Sequence, residues 1–197
     1  MRANPESLEE KIRAVLAARE RKRISKNRLI PAAVLLPLFK KAGEPYVLLT
    51  KRTEKVKAHK GEISFPGGVY DRADRSLEET ALRESFEEIG LKRSDVEILG
   101  CLDDVETMTR YLIRPYVGIF PYPYTFVVNG EEIEEMIEVP LRSILRKGAF
   151  ETRSLRSGTG RQTIYSYRFG RHLIWGATAR ILKQLVDLIR DSSGGRE

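Results

Sequence analysis

The chain of 197 residues contains one cysteine, Cys101. A single thiol cannot close an intramolecular disulfide, and its scarcity fits a reducing compartment, so the expectation is a cytoplasmic protein whose lone thiol is buried in a strand. Histidine is almost as rare. His59 is expected in a solvated loop, and His172 is expected to be structural. No apolar run approaches the ~20 residues a membrane span needs. The charged character of residues 1–28 does not match a secretory leader. The terminus Gly194-Gly195-Arg196-Glu197 does not match a peroxisomal address. Internal repeats are absent, and basic stretches without interleaved aromatic residues do not form a nucleic-acid platform. Membrane and nucleic-acid partners are therefore not expected.

What is present is positive charge and enough apolar material for one core. The formal net charge is +7, and hydrophobic residues make up 41% of the chain. This balance favours small anionic partners. One basic cluster, Arg19, Arg21, Lys22, Arg23, Lys26 and Arg28, reads as the solvated flank of an N-terminal helix over residues 6–22. Another, Lys51, Arg52, Lys55, Lys57, His59 and Lys60, fills a short loop. Strand patterns fall at 29–38, 45–51, near 95–102 and at 111–119. An apolar triplet at 126–128 follows Tyr122, Pro123 and Tyr124. A short helix opens at Val139-Pro140-Leu141. A hairpin is expected over 150–156 and 163–169, and a last amphipathic helix over 174–190. The pattern describes a mixed sheet between helices, in the α/β (α+β) class, with an N-terminal helix and basic flank (1–28), a main domain (29–190) and a disordered tail (191–197).

The chemistry concentrates in residues 65–91. Ser76 and Glu79 form a capping box that starts a helix near residue 77, and Gly90 supplies its left-handed end. Leu77, Ala81, Leu82, Phe86 and Ile89 make the apolar stripe. Off that stripe, Glu84, Glu87 and Glu88 stand at i, i+3 and i+4, so three carboxylates share one face. An acidic helix face is ordinarily solvated surface. Here the turn Phe65-Pro66-Gly67-Gly68 precedes it, and such a backbone approaches a metal or a phosphate closely. Carboxylates with a backbone carbonyl are the oxygen donors a hard cation such as Mg²⁺ takes. Arg83 sits beside them and can orient one carboxylate through a two-pronged pair.

This stretch resembles the Nudix box of the Nudix hydrolases. The second half of that pattern matches at Arg83, Glu84, Glu87, Glu88, Gly90 and Leu91. Ser85 occupies a position that is usually apolar, Asp74 stands where Glu is usual, and the Gly68-to-Arg83 spacing is one residue longer. Upstream, Leu48, Leu49, Thr50, Arg52, Thr53, Gly61, Phe65, Pro66, Gly67 and Gly68 match the extra motif of the coenzyme A diphosphatase branch. Lys57 replaces its second arginine, and Asp71 and Asp74 match its acidic positions. The longer spacing is usual in that branch. Glu132–Leu141 and Ile174–Leu182 resemble its later segments, whereas Thr109-Arg110-Tyr111 departs from its Ser-Gly-Phe.

The resemblance implies an α/β/α sandwich with a mixed sheet. It also implies a diphosphatase that uses Mg²⁺ or Mn²⁺ and cleaves coenzyme A, or an acyl-CoA, to 3′,5′-ADP and 4′-phosphopantetheine. Glu84, Glu88 and Glu87 are the expected metal ligands, with the carbonyl of Gly68. Arg83, Glu87 and Glu132 are the expected catalytic residues. Glu131, Glu134 and Glu135 rival Glu132 as general base. Arg52, Lys57, His59, Lys60 and Gly67 are expected to bind the substrate's phosphates, and family habit adds a homodimer. Two other outcomes follow from the same residues: a Nudix pyrophosphatase acting on ADP-ribose or another nucleoside diphosphate derivative, and a non-catalytic Nudix-like ligand sensor.

Overall fold

Two consecutive segments are apolar on both sides of their pleat, which marks strands covered on both faces. They are β1 (Ile30–Lys41) and β2 (Glu44–Arg52). In the computed structural model, which describes residues 7–25, 28–56, 59–157 and 160–191, they form the middle of an eight-stranded sheet. β1 pairs antiparallel with β2 and parallel with β7 (Tyr111–Ile119). Short strands β3 (Ile63–Ser64), β4 (Gly67–Val69), β5 (Glu97–Cys101) and β6 (Val105–Glu106) extend it, and β8 (Ile133–Pro140) lies along β2. β9 (Phe150–Ser157), β10 (Gly160–Phe169) and β11 (His172–Trp175) make a second, antiparallel sheet.

The helices cover the large sheet on both faces. Leu36, Leu38, Val47 and Leu49 point to one core, shared with α1 (Leu8–Ala17), α3 (Leu141–Ile144) and α4 (Gly176–Asp191). Ala33, Leu35, Phe39 and Leu48 point to the other, against α2 (Leu77–Ile89). The arrangement is the mixed-sheet α/β/α sandwich that the resemblance implies. Full burial of each large side chain contributes roughly 1.5–3 kcal/mol. Among the described residues, no helix is long and apolar enough to cross a membrane.

Several local expectations change. The apolar stripe of α2 does not include Phe86, which is 54% exposed. The buried face runs through Ala81, Leu82, Ser85, Glu88 and Ile89, one position aside. Ser85 fits there because its hydroxyl donates to the carbonyl of Ala81 (2.7 Å), so a polar side chain is satisfied within its own helix. Glu88, read as lying off the stripe, is only 3% exposed. Residues 126–128 form no strand, and Val127 is exposed. The strand in that region is β8, whose buried Ile133, Ile137 and Val139 alternate among carboxylates. Cys101 ends β5 half-buried rather than buried. His172 lies 3.4 Å from Glu135, and the tip of the late hairpin lies outside the described residues.

Candidate active site

β1 is longer than its partner on one side. Its second half pairs with β2, and its first half pairs instead with β4, Ala33 opposite Gly68 and Val34 opposite Gly67. The glycine turn is thereby set into the sheet, directly under α2. At Gly67 a side chain would stand 2.6 Å from the Cα of Val34, so only glycine lets β4 approach. At Gly68 a Cβ would lie 2.6 Å from both carboxylate oxygens of Glu84. Glu84 therefore rests on bare backbone.

The helix is held by its ends. Ser76 accepts from the N–H of Glu79 (3.2 Å), but the Glu79 carboxylate turns outward to the N–H of Arg75, so only half of the capping box forms. At the other end Gly90 takes φ 70°. The carbonyls left over there are partly capped by a distant loop, with Val127 donating to Ile89 (3.1 Å) and Asn129 donating to Glu88 (2.9 Å). That loop carries Glu131 and Glu132. Thr53, at the end of β2, fixes it from the other side, its N–H donating to the carbonyl of Glu132 and its hydroxyl to that of Glu131, both at 2.8 Å.

Two arginines organise the carboxylates. Arg83 binds Asp74 with its fork, Nε at 2.9 Å and Nη2 at 3.1 Å, and reaches Glu84 (2.8 Å) and Glu87 (3.0 Å) with Nη1. The two-pronged partner is thus Asp74, not one of the helix glutamates. Asp74 is buried, and it also accepts from Thr80 (2.7 Å) and from the N–H of Asp71 (3.2 Å). The Arg83 guanidinium, with those donors, holds its carboxyl down at about 2. Arg52 bridges Glu88 (3.0 Å) and Glu132 (3.4 Å).

The carboxylates differ by depth. Burial pushes Glu88 up to about 8; Arg52 opposes this, Glu84 and Glu132 reinforce it, and the N–H of Gly67 opposes it weakly. Burial also raises Glu84, against the nearby Arg83. Glu87 faces outward, its side chain 53% exposed. Oε2 of Glu88 and Nε of Arg52 are buried without a hydrogen-bond partner. Among the described residues, no three His, Cys, Asp or Glu side chains already converge as a ready metal shell. The donor set still fits a hard cation, because Mg²⁺ needs only one or two carboxylates and retains water and phosphate oxygens, and Glu88 offers a buried oxygen with no other partner.

The basic segment is placed differently from the sequence expectation of an open phosphate-binding loop. Lys51 pairs with Glu134 (2.8 Å), Arg52 with Glu132, and Lys55 with Glu131 (3.6 Å), so β2 and its exit are matched to the acids of β8 and its approach. Glu135 pairs with Arg171 (3.0 Å). Of the four rival glutamates, Glu132 is the one that shares Arg52 with Glu88 and raises both Glu84 and Glu88. His59 and Lys60 sit in an exposed turn, His59 against Glu62 (2.8 Å), and Lys57 lies outside the described residues. Thr53 and Asn129, which fix Glu132 from two sides, were not recognisable as site residues from the sequence. The only trace of this was the hydroxyl position in the upstream motif. Two members of the N-terminal cluster are likewise paired: Arg19 binds Asp103, and Arg21 binds the buried Asp104, which Arg114 also binds.

The geometry and the comparisons agree. The NUDIX domain family matches residues 29–154, which span the glycine turn, α2 and the Glu132 loop. This chain is a member of that family. A relative named "Uncharacterized Nudix hydrolase NudL" from Photorhabdus laumondii is 37% identical over 169 residues, covering 86% of this chain and 89% of the relative. The protein of the same name from Yersinia enterocolitica is 36% identical over 158 residues, covering 80% of each. A solved MutT/nudix family protein from Enterococcus faecalis superposes with a TM-score of 0.50 at 15% identity, over 90% of this chain and 66% of that one, a likeness of fold. The chain is a Nudix hydrolase.

Proposed function

We propose that this Nudix hydrolase cleaves the diphosphate bond of coenzyme A or an acyl-CoA, yielding 3′,5′-ADP and 4′-phosphopantetheine, with Mg²⁺ or Mn²⁺ as cofactor. The observation that carries the reading is a convergence. Arg52 and the Gly67-Gly68 turn, both from the upstream motif that resembles the coenzyme A branch, meet the carboxylates of α2 at one place. A cytoplasmic location and a homodimer accompany this reading.

Glu84 and Glu88 would hold the cation, with Glu87 at the exposed edge and the carbonyl of Gly68 as a further donor. The cation, when bound, would neutralise diphosphate oxygens and lower the pKa of a water so that its hydroxide form can attack phosphorus. Glu132 would take up the proton that the water gives up. Its half-exposed carboxylate is held between Arg52 and the side-chain amide of Asn129 (3.3 Å), at the edge of the buried cluster. Arg83 fixes the direction of Glu84 and Glu87 by gripping the buried Asp74. Arg52 and the N–H groups of the Gly67 turn contact the diphosphate. His59, Lys60 and Lys57 supply charge for the 3′-phosphate.

A second reading, hydrolysis of ADP-ribose or another nucleoside diphosphate derivative, is favoured by one observation. Lys51, Arg52 and Lys55 already spend their charge on Glu134, Glu132 and Glu131, which leaves less for a third phosphate. Chromatography of products from coenzyme A and from ADP-ribose, each with Mg²⁺, separates them. Release of 3′,5′-ADP from coenzyme A alone supports the first reading. Cleavage of ADP-ribose alone replaces it with the second, and cleavage of neither refutes both.

A further inference from the structure

Arg52 occupies a position that a phosphate-binding residue alone does not require. Its guanidinium lies between a carboxylate from the buried face of α2 and one from the loop that caps the same helix, 3.0 Å from Glu88 and 3.4 Å from Glu132. Around Arg52 stand Glu84, Glu88 and Glu132; Arg83, tied to Asp74, reaches Glu84 (2.8 Å), and among the described residues Arg52 is the arginine paired with Glu88 and Glu132. Pairing here is incomplete. Nε of Arg52 and Oε2 of Glu88 are both buried, and neither has a partner. A buried pair that leaves one donor and one acceptor unmet is poorly optimised, since each such group costs about 1–3 kcal/mol. The arrangement suits a contact that is made and broken.

We propose that Arg52 is an exchangeable counter-ion: it neutralises Glu88 and Glu132 before a divalent cation arrives, and is released by that cation to the substrate's diphosphate. The inference rests on the proposed metal site at Glu84 and Glu88. Cation and arginine compete for the same carboxylate, so a cation entering at Glu88 leaves the guanidinium with only the longer contact to the half-exposed Glu132. A diphosphate beside the cation then offers Arg52 two oxygens in the planar geometry its fork matches. Binding of cation and diphosphate is coupled through one side chain, so each favours the other. The strand fixes the backbone of Arg52. Its N–H donates to the carbonyl of Glu62 (3.0 Å), and the following Thr53 is bound to the Glu132 loop, so only the side chain has to turn.

The competition sets the sign of a binding measurement made without substrate. Mn²⁺ titration followed by the electron paramagnetic resonance of free Mn²⁺ reads it directly. Arg52→Met removes the competitor and is expected to tighten Mn²⁺ binding about tenfold, within the range usual for coupled sites. Lys51→Met removes the same charge one residue away, where the partner is Glu134, and is expected to change it less than twofold. Equal or weaker Mn²⁺ binding by Arg52→Met overturns the proposal, because the arginine then supports the carboxylates. Equal tightening by Lys51→Met also overturns it, since the effect is then general charge. Absence of Mn²⁺ binding by the unaltered chain refutes instead the metal site on which the inference rests. Should Arg52→Met not fold, Arg52→Gln, which keeps hydrogen bonds and drops the charge, carries the same expectation.

Discussion

Replacing Asp74 by asparagine tests the electrostatic frame of the site. Asp74 is 5% exposed and accepts four hydrogen bonds, two from the Arg83 fork, one from Thr80 and one from Asp71. Its carboxyl is held at about 2 against an ordinary 3.8. A depressed carboxyl stabilises the fold above its unfolded value and loses that contribution as pH falls through the folded value. The window is therefore roughly pH 4 down to 2, and the contribution is about 2 kcal/mol at 1.36 kcal/mol per pKa unit. Asparagine keeps the shape but not the charge, and its amide group turns a donor toward Arg83 or Thr80. The expected cost at pH 7 is about 2–4 kcal/mol, or roughly 5–15 °C in Tm for a chain of this size. Thermal unfolding of both proteins at pH 7, 5, 4, 3 and 2 measures it. The gap should be constant above pH 5 and should narrow below pH 4, as the parent loses the same charge. A gap below about 0.5 kcal/mol at pH 7, or one that does not narrow in acid, refutes the assignment of Asp74 as the anchor of Arg83.

Three further outcomes follow from the same geometry. Glu88→Gln should reduce turnover by about a hundredfold or more. It should also raise the metal-free stability at pH 7 by about 1–3 kcal/mol, because folding of the parent must put a proton on the buried Glu88 while Arg52 keeps Glu132 as its partner in the variant; a destabilised variant by urea unfolding contradicts this. Glu132→Gln should lower kcat by about 10²–10⁴, while Glu131→Gln, at an 81% exposed side chain on the same loop, should stay within a few-fold; equal effects in steady-state kinetics would remove Glu132 from the role of base. Gly68→Ala places a methyl group against the Glu84 carboxylate and should lower kcat at least tenfold with a cooperative melt retained, whereas unchanged kcat would mean that Glu84 need not rest on the turn.

The sequence by itself determined the local parts. The apolar runs of β1 and β2, the Ser76 cap, the Gly90 end and the spacing of Glu84, Glu87 and Glu88 all depend on neighbours within a few residues, and each stands where the pattern puts it. So does the need for glycine at 67 and 68, although what approaches them was not visible. Tertiary structure decided which glutamate is buried. A helical repeat places three carboxylates on one side, but the sheet under α2 and the loop over its end sink Glu88 and leave Glu87 in solvent. The same packing turned Phe86 outward and Ser85 inward, against hydrophobicity alone. Of the four acids, it set Glu132 against the arginine that also holds Glu88. The register of β2 on β8 matched a basic segment to an acidic one far along the chain, as in Lys51 with Glu134, 83 residues away. Charge read along a chain gives the sign of a segment; how much of it faces a ligand depends on the strand that pairs with it, and that partner is fixed only when the sheet is assembled.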